Sequence, residues 1–406
     1  MRKASGINMS DVKVNNRALI LNQLKEGKKS RKDIAEKIKL TPAAVTILVK
    51  ELIQEGCISE CGQIENSSRV GRKKVYIELN RNYKYAIGVN IEPNHVCVGI
   101  ANVKAEIIKY EEMIITGISV KQIMKMIVKT CLNLLWNLNI SKNDVLGIGV
   151  GIVGIVDSEN GVSKQAYGLW NKEVDIRNIL SNKLKLPVLV ENNVRVLALA
   201  EMELTEHKYI KNMVFIKYGP GIGSAIITNE EIYKGSYNSA GELGHMIIDM
   251  NGKVCKCGQK GCLETVASML TLIDEIKNEF SSETYPILYK SVCGSIDKIN
   301  EDIIIEAYKL GEKKIVDKIN KAWRYLGTGI VNILRFYDPH KIIIYGELFH
   351  EQVFLEKLIE EVNNQGHESN VINKIERSIL IQEKCIGGVV SVIKELFYET
   401  GAIIPV

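Results

Sequence analysis

Gly241-Glu-Leu-Gly-His245-Met-Ile-Ile-Asp-Met-Asn-Gly-Lys-Val-Cys255-Lys-Cys257-Gly258-Gln-Lys-Gly261-Cys262-Leu-Glu264 brings one imidazole and three thiols into a short run of chain. One His and three Cys fill a tetrahedral zinc shell, and with every position supplied by protein no coordination site stays open for catalysis. Gly258 and Gly261 permit the sharp turns that bring closely spaced sulfurs round one ion. The expectation is a structural Zn2+ held by His245, Cys255, Cys257 and Cys262. Such an ion fixes a loop that also carries Glu242 and Glu264. With His245 these form an acceptor-rich set suited to several hydroxyl groups, since a polyhydroxylated ligand offers little apolar area and is recognised by many oriented hydrogen bonds.

Upstream of this block, Gly219-Pro-Gly-Ile-Gly223 follows a strand-like run, Val214 to Lys217. It reads equally as a phosphate loop or as a tight hairpin. Pro187 to Val190 reads as a strand ending in the polar tip Glu191, Asn192 and Asn193, before an Ala-rich helix from Val196 to Glu203. Ligands collect at such carboxyl ends of strands, and a helix cap is the other reading of the tip. Residues 85–103 alternate around Ile87, Val89 and Val96 to Ile100, a helix is expected from about Ser119 to Leu138, and a strand-like run resumes at Val145 to Val156. The body is therefore alternating α/β.

The N-terminal stretch has a different grammar. Leu19, Ile20 and Leu24 recur at helical spacing from Asn16 until Gly27. Ser30 is an N-cap before Asp33, Ile34, Ala35 and Ile38, and Thr41-Pro42 opens a third helix with the stripe Val45, Leu48, Val49 and Leu52, ending before Gly56. Three short helices of this kind form a helix-turn-helix unit. Cys57 to Cys61 and Lys74 to Leu79 read as two strands flanking a wing. A third helix in a major groove would offer Thr41, Ala43, Ala44, Thr46 and Lys50, with Ser30 and Arg31 beside it and Arg69, Gly71, Arg72, Lys73 and Lys74 on the wing tip against phosphates. A protein-interaction module with a solvated loop is the other reading.

The charge distribution favours DNA. Net charge is +5, yet residues 1–80 hold 16 Lys and Arg against 9 Asp and Glu, so the basic excess lies in this module. At 406 residues the chain has room for the module and two further units. No apolar run approaches the roughly 20 residues of a membrane helix, and Met1 to Ser10 lacks the apolar segment of a secretory signal. The expectation is a cytoplasmic protein with no membrane partner. Nine cysteines in this length are too sparse and uneven for a disulfide scaffold.

Taken together these motifs resemble the ROK family, which joins sugar kinases and sugar-dependent repressors. The likeness is carried by the helix-turn-helix with its Gly71-Arg-Lys-Lys wing, Gly88-Val-Asn-Ile91, Val190-Glu-Asn-Asn193, Gly219-Pro-Gly-Ile-Gly223, the Gly241–His245 block and the Cys255–Glu264 segment. Phe336-Tyr-Asp-Pro339 before a strand, with the order of motifs, is most similar to the xylose repressors. The resemblance implies a winged helix-turn-helix in residues 1–80 and an α/β two-lobed actin-like ATPase (ribonuclease-H-like) body. Its lobes are expected at 81–205, completed by a C-terminal helix at about 386–400, and at 206–385. It also implies a sugar pocket in the interlobe cleft made of Asn192, Asn193, Glu242, His245 and Glu264, with His245 giving one ring nitrogen to zinc and the other to the sugar.

The departures from the kinases decide the functional expectation. Kinases of the family open with Asp-x-Gly-Gly-Thr-Lys, where this chain has Asn90-Ile-Glu-Pro-Asn94. The family's general base is an Asp at the third position of the Glu-Asn-Asp tip; here it is Asn193, whose amide cannot accept a hydroxyl proton. Val153-Gly154 stands for Pro-Gly, and Tyr345 precedes Gly346 where kinases keep a glycine. The expectation is a non-enzymatic, sugar-responsive repressor of carbohydrate-utilisation genes, a homodimer or a tetramer, with operator DNA and a monosaccharide or related polyol as partners. The alternatives are a sugar kinase with an appended DNA-binding domain, and a DNA-binding regulator answering to a protein signal.

Overall fold

The structure is a computed structural model describing residues 8–63, 75–366, 373–380 and 384–403. The expected wing-tip contacts Arg69, Gly71, Arg72, Lys73 and Lys74 lie outside these residues. The module opens with α1 (Met9–Lys25), α2 (Arg31–Ile38) and α3 (Pro42–Gln54), capped by the side chains of Asn8, Ser30 and Thr41. Asn8 with Asp11 and Ser30 with Asp33 form reciprocal capping boxes, which satisfy orphan N–H groups at each helix start. That first box starts α1 well before Asn16, ahead of any apolar stripe. Ile20, Leu24, Ile34, Val45, Val49 and Leu52 are buried together, and β1 (Lys29–Ser30), β2 (Ile58–Gln63) and β3 (Val75–Leu79) close an antiparallel sheet in the order β1-β3-β2. Ile77 and Leu79 point inward, as the alternation requires.

The first α/β sheet is built from β4 (Tyr85–Ile91), β5 (His95–Asn102), β6 (Ile107–Ile114), β7 (Val145–Ile152) and β11 (Val188–Asn192), in the order β11-β7-β4-β5-β6. Between these lie α4 (Val120–Asn137), a small sheet of β8 (Ile155–Asp157), β9 (Val162–Gln165) and β10 (Val174–Asp175), and α5 (Ile176–Leu184). Ile87, Val89 and Ile91 pack in one core with Ile123 and Ile127 of α4 and Leu180 of α5. Their neighbour Gly88 faces the opposite side, where an added Cβ would lie 2.3 Å from the Cys385 carbonyl oxygen.

From β11 the chain enters α6 (Asn193–Leu204) and then the second sheet, with β12 (Met213–Tyr218), β13 (Ile222–Thr228), β14 (Glu231–Tyr233), β15 (Lys341–Tyr345) and β16 (Ile375–Arg377) in the order β14-β13-β12-β15-β16. Helices α7 (Glu264–Ala267), α8 (Met269–Asn278), α9 (Pro286–Ser291), α10 (Glu301–Lys309), α11 (Lys313–Tyr337) and α12 (Gln352–Asn364) complete this unit. Its core gathers Val214, Ile216, Ile342 and Ile344 around Trp323, whose indole N–H donates to the Phe354 carbonyl at 3.0 Å. Glu201, fully buried in the same unit, is satisfied by the Ser378 hydroxyl and by His207 Nδ1 at 2.8 Å. Finally α13 (Ile386–Ile393) packs on β4 and β7, and a π turn, Lys394–Tyr398, extends it.

The chain divides into Met1–Val196 with Glu383–Val406, and Leu197–Gln382. The module thus falls in the first of these units, together with the returning C-terminal helix. The division falls inside α6, whereas the expected boundary lay at 205/206. No described helix is long and apolar enough to cross a membrane.

Candidate functional site

The loop between Glu242 and Glu264 is organised by backbone turns. Cys255 N–H donates to the Gln259 carbonyl at 2.7 Å and Gly258 N–H to the Cys255 carbonyl at 2.9 Å. Gly258 and Gly261 take φ of +92° and +75°, the left-handed region open to glycine, as the sequence reading required. His245 Nδ1 comes to 3.5 Å from Cys255 Sγ, Cys257 Sγ to 3.6 Å from Cys262 Sγ, and all four ligand atoms lie within 4.8 Å of one another. A tetrahedral ion with Zn–S of about 2.3 Å separates its sulfurs by about 3.8 Å, so donor chemistry and spacing both fit a metal ion. Burial pushes the Cys262 thiol up to about 12, which makes a thiolate there costly unless a cation stands beside it.

The predicted acceptors surround this cluster. His245 Nε2 lies 3.9 Å from Glu242 Oε2, so the ring spans from the sulfurs to a carboxylate. Glu264 opens α7; its Oε2 accepts the Ile222 N–H at 3.0 Å and its Oε1 lies 2.8 Å from Lys256 Nζ. Gly219 to Gly223 is therefore the tight hairpin, with Tyr218 paired to Ile222, and its N–H turns to Glu264. Lys256 escaped the sequence reading, because a lysine between two cysteines looks like ordinary loop charge.

In the first unit the polar tip is internally bonded. Asn192 Oδ1 accepts the N–H groups of Val194 (2.9 Å) and Arg195 (3.2 Å), and its Nδ2 donates to the Gly154 carbonyl (2.9 Å). Asn192 thus caps α6. Asn193 is 2% exposed and its Nδ2 lies 3.4 Å from Glu92 Oε1, which also accepts the Asn90 amide at 3.0 Å. The β4–β5 connection is tight, with Glu92 N–H donating to the His95 carbonyl at 2.9 Å. The sequence reading marked Glu92 only as a departure, whereas the fold makes it the acceptor that organises both amides.

On the module, Thr41, Ala43, Thr46 and Lys50 are exposed along α3 and Ala44 is half-buried. Ser30 is buried as the α2 cap, and Arg31 lies 2.7 Å from Glu60 Oε1. The reading of the outer face named Thr46 but not its neighbour Ile47, which lies off the stripe of Val45, Leu48, Val49 and Leu52 and is 61% exposed. An exposed apolar side chain there suits a thymine methyl group.

A family model described as "ROK family" matches residues 86–395, and one described as "Winged helix-turn-helix DNA-binding" matches residues 16–59. The xylose repressor of Caldicellulosiruptor bescii is 29% identical over 386 residues, covering 93% of this chain and 95% of that protein. The N-acetylglucosamine repressor of Escherichia coli O157:H7 is 25% identical, covering 88% and 87%. Among solved structures, a ROK family transcriptional regulator, homolog of the E. coli MLC protein, superposes with a TM-score of 0.78 at 24% identity, covering 96% of this chain and 97% of that one. A ROK family glucokinase from Streptomyces griseus, solved with glucose and AMPPNP, gives a TM-score of 0.66 at 22% identity and covers 75% of this chain and 98% of that chain, so the body's fold is shared with a kinase.

Proposed function

This chain belongs to the ROK family, and from that premise we propose that it is a sugar-responsive, DNA-binding transcriptional repressor of carbohydrate-utilisation genes that does not itself transfer phosphate. The observation that carries the reading is the Asn193 amide aimed at Glu92, in a chain that also presents an outward-facing α3. A general base must accept a proton from the attacking hydroxyl, and an amide nitrogen already directed at a carboxylate has no lone pair for it.

The sugar is held by the set read from the sequence, Asn192, Asn193, Glu242, His245 and Glu264. Structural zinc on His245, Cys255, Cys257 and Cys262 would fix the loop and orient the imidazole. DNA is read by Thr41, Ala43, Ala44, Thr46 and Lys50, with Ser30 and Arg31 supporting and the basic residues 69–73 on phosphates. A homodimer places two α3 helices on half-sites, and such a repressor works beside the chromosome, in the cytoplasm. A sugar that prefers the DNA-incompetent state by about 100-fold supplies about 2.7 kcal/mol, enough to empty a moderately occupied operator.

The test is a duplex selected from a random library by the full-length protein, titrated against xylose, glucose, N-acetylglucosamine and related monosaccharides. Release by one of them, with an affinity fall of about tenfold or more, is expected. Transfer of labelled phosphate from ATP to any of these sugars at about 1 s⁻¹ or faster would overturn the reading.

A further inference from the structure

One residue of the module is buried yet serves neither its apolar core nor its DNA face. Arg17, in the middle of α1, is 2% exposed. Its Nε donates to the Gly401 carbonyl at 2.7 Å, one terminal nitrogen donates to Glu55 Oε1 at 2.7 Å, and the other donates to Glu55 Oε2. Glu55 is the residue that ends α3, and Glu51 one turn earlier lies 3.7 Å from the same guanidinium. A buried guanidinium is tolerated only when its N–H groups meet acceptors, and the planar fork here meets two carboxylate oxygens and a carbonyl at once. The partners come from separate parts of the chain: the end of the outward-facing helix, and the turn that follows α13.

The approach of that turn is unusually close. Gly401 has φ of +61°, and a Cβ placed there would stand 2.7 Å from Arg17 Cβ and 2.8 Å from the Val14 carbonyl oxygen. The π turn before it sends Phe397 towards Tyr83 in the connection after the module, at 6.1 Å between ring centroids, and sets the Tyr398 ring 5.3 Å beneath Lys25 Nζ of α1. At its other end α13 meets the start of α6, where a Cβ on Gly387 would lie 2.7 Å from Val196 Cγ2. A continuous path of packed groups therefore runs within one unit from the helix that follows Asn192 and Asn193 to the end of α3.

We propose that Arg17 is the positioning residue of the DNA-reading helix, fastening the end of α3 to the turn after α13 so that the module is a fixed extension of the body rather than a bead on a tether. That α3 reads DNA rests on the function proposed above; the fastening itself does not. Without the latch, the module keeps only the 80–84 connection and the packing of Gly401 and Tyr398 on α1, and the end of α3 has no tie to the body through which two reading helices are presented at one spacing.

The test uses the full chain with Arg17→Lys, which keeps the charge and loses the fork, and separately Gly401→Ala, which disturbs the contact from outside the module's core. In hydrogen exchange followed by mass spectrometry, amides of residues 80–84 and 399–403 are expected to exchange about tenfold faster or more in both variants, while α2 and Val45–Leu52 keep their wild-type rates. A rise spread evenly over α1 to α3, or no rise, overturns the proposal, since Arg17 would then be an internal brace of the module or idle. Binding to the library-selected duplex should fall about tenfold or more, with binding to a scrambled duplex of equal length changed less than about twofold, because phosphate contacts persist. Unaltered affinity for the selected duplex despite faster exchange overturns the positioning role. If the wild-type protein selects no duplex, the DNA reading fails, and exchange alone decides the fastening.

Discussion

Two polar clusters of this chain treat their side chains in opposite ways. At the tip of β11, Asn192 caps a helix and Asn193 is nearly sealed, its amide turned to Glu92, so the polar atoms there mostly satisfy one another. In the 242–264 loop, Glu242 keeps 36% of its side chain exposed, and the imidazole beside it has its far nitrogen 3.5 Å from Cys255 Sγ. The first arrangement pairs a carboxylate with two amides. The second leaves Glu242 partly exposed beside a His-Cys set that could hold a metal ion. Recognition without reaction is what such a pair of clusters supports.

The sharpest way to break this contrast is to remove the metal. Cys257→Ala, or exhaustive chelation, should unfasten the loop while leaving the β11 tip intact. The expected loss is on the order of 4 kcal/mol, since structural zinc sites bind with more than that, and it corresponds to a fall of about 10 °C in the melting midpoint of the second unit. Calorimetry with metal analysis checks it. One zinc per wild-type chain and none in the variant is expected, and an unshifted midpoint would mean that the loop stands without an ion.

A smaller effect separates binding from architecture. Glu264→Gln replaces a carboxylate that faces Lys256 and the Ile222 N–H, and should weaken the sugar that releases the duplex by about 2 kcal/mol, roughly 30-fold. Glu92→Gln keeps an acceptor for the two amides, and should change that affinity less than about threefold. Titration calorimetry on both variants compares the clusters directly; equal losses would remove the distinction between them.

How much of this was legible follows from the range of the forces involved. The caps at Ser30 and Thr41, the alternation of β4 and β5 and the His-Cys set are short-range patterns, and each was readable. The division within α6 was not, because nothing in the local sequence from Asn193 to Leu204 marks where one compact unit ends. Arg17 and Gly401 are separated by almost the whole chain, and each is ordinary in its own neighbourhood. Lys256 and Glu92 gain their roles only when another strand or helix brings a partner to them. Ile47 lies off the stripe of Val45, Leu48, Val49 and Leu52, so its exposure was readable from helical spacing, yet the reading of the outer face named only its neighbours.

The subtlest break is to restore the missing acid. Asn193→Asp would put a carboxylate where Nδ2 now stands 3.4 Å from Glu92 Oε1, in a position 2% exposed. Two carboxylates so placed cannot both ionise without penalty, so the folded protein would hold the new Asp protonated well above its unfolded pKa of about 3.9. A raised carboxyl pKa works against stability as pH climbs: the unfolded chain ionises first, so the variant matches wild type below about pH 4 and loses stability from there up to the raised value. A deficit of about 1–2 kcal/mol at pH 7, with no phosphate transfer, is the expected outcome, read from denaturant midpoints between pH 4 and 8. Adding Glu92→Gln should remove most of the deficit. If Asn193→Asp alone is as stable as wild type at pH 7 and phosphorylates sugar, the amide pairing is incidental and the two clusters differ less than their geometry implies.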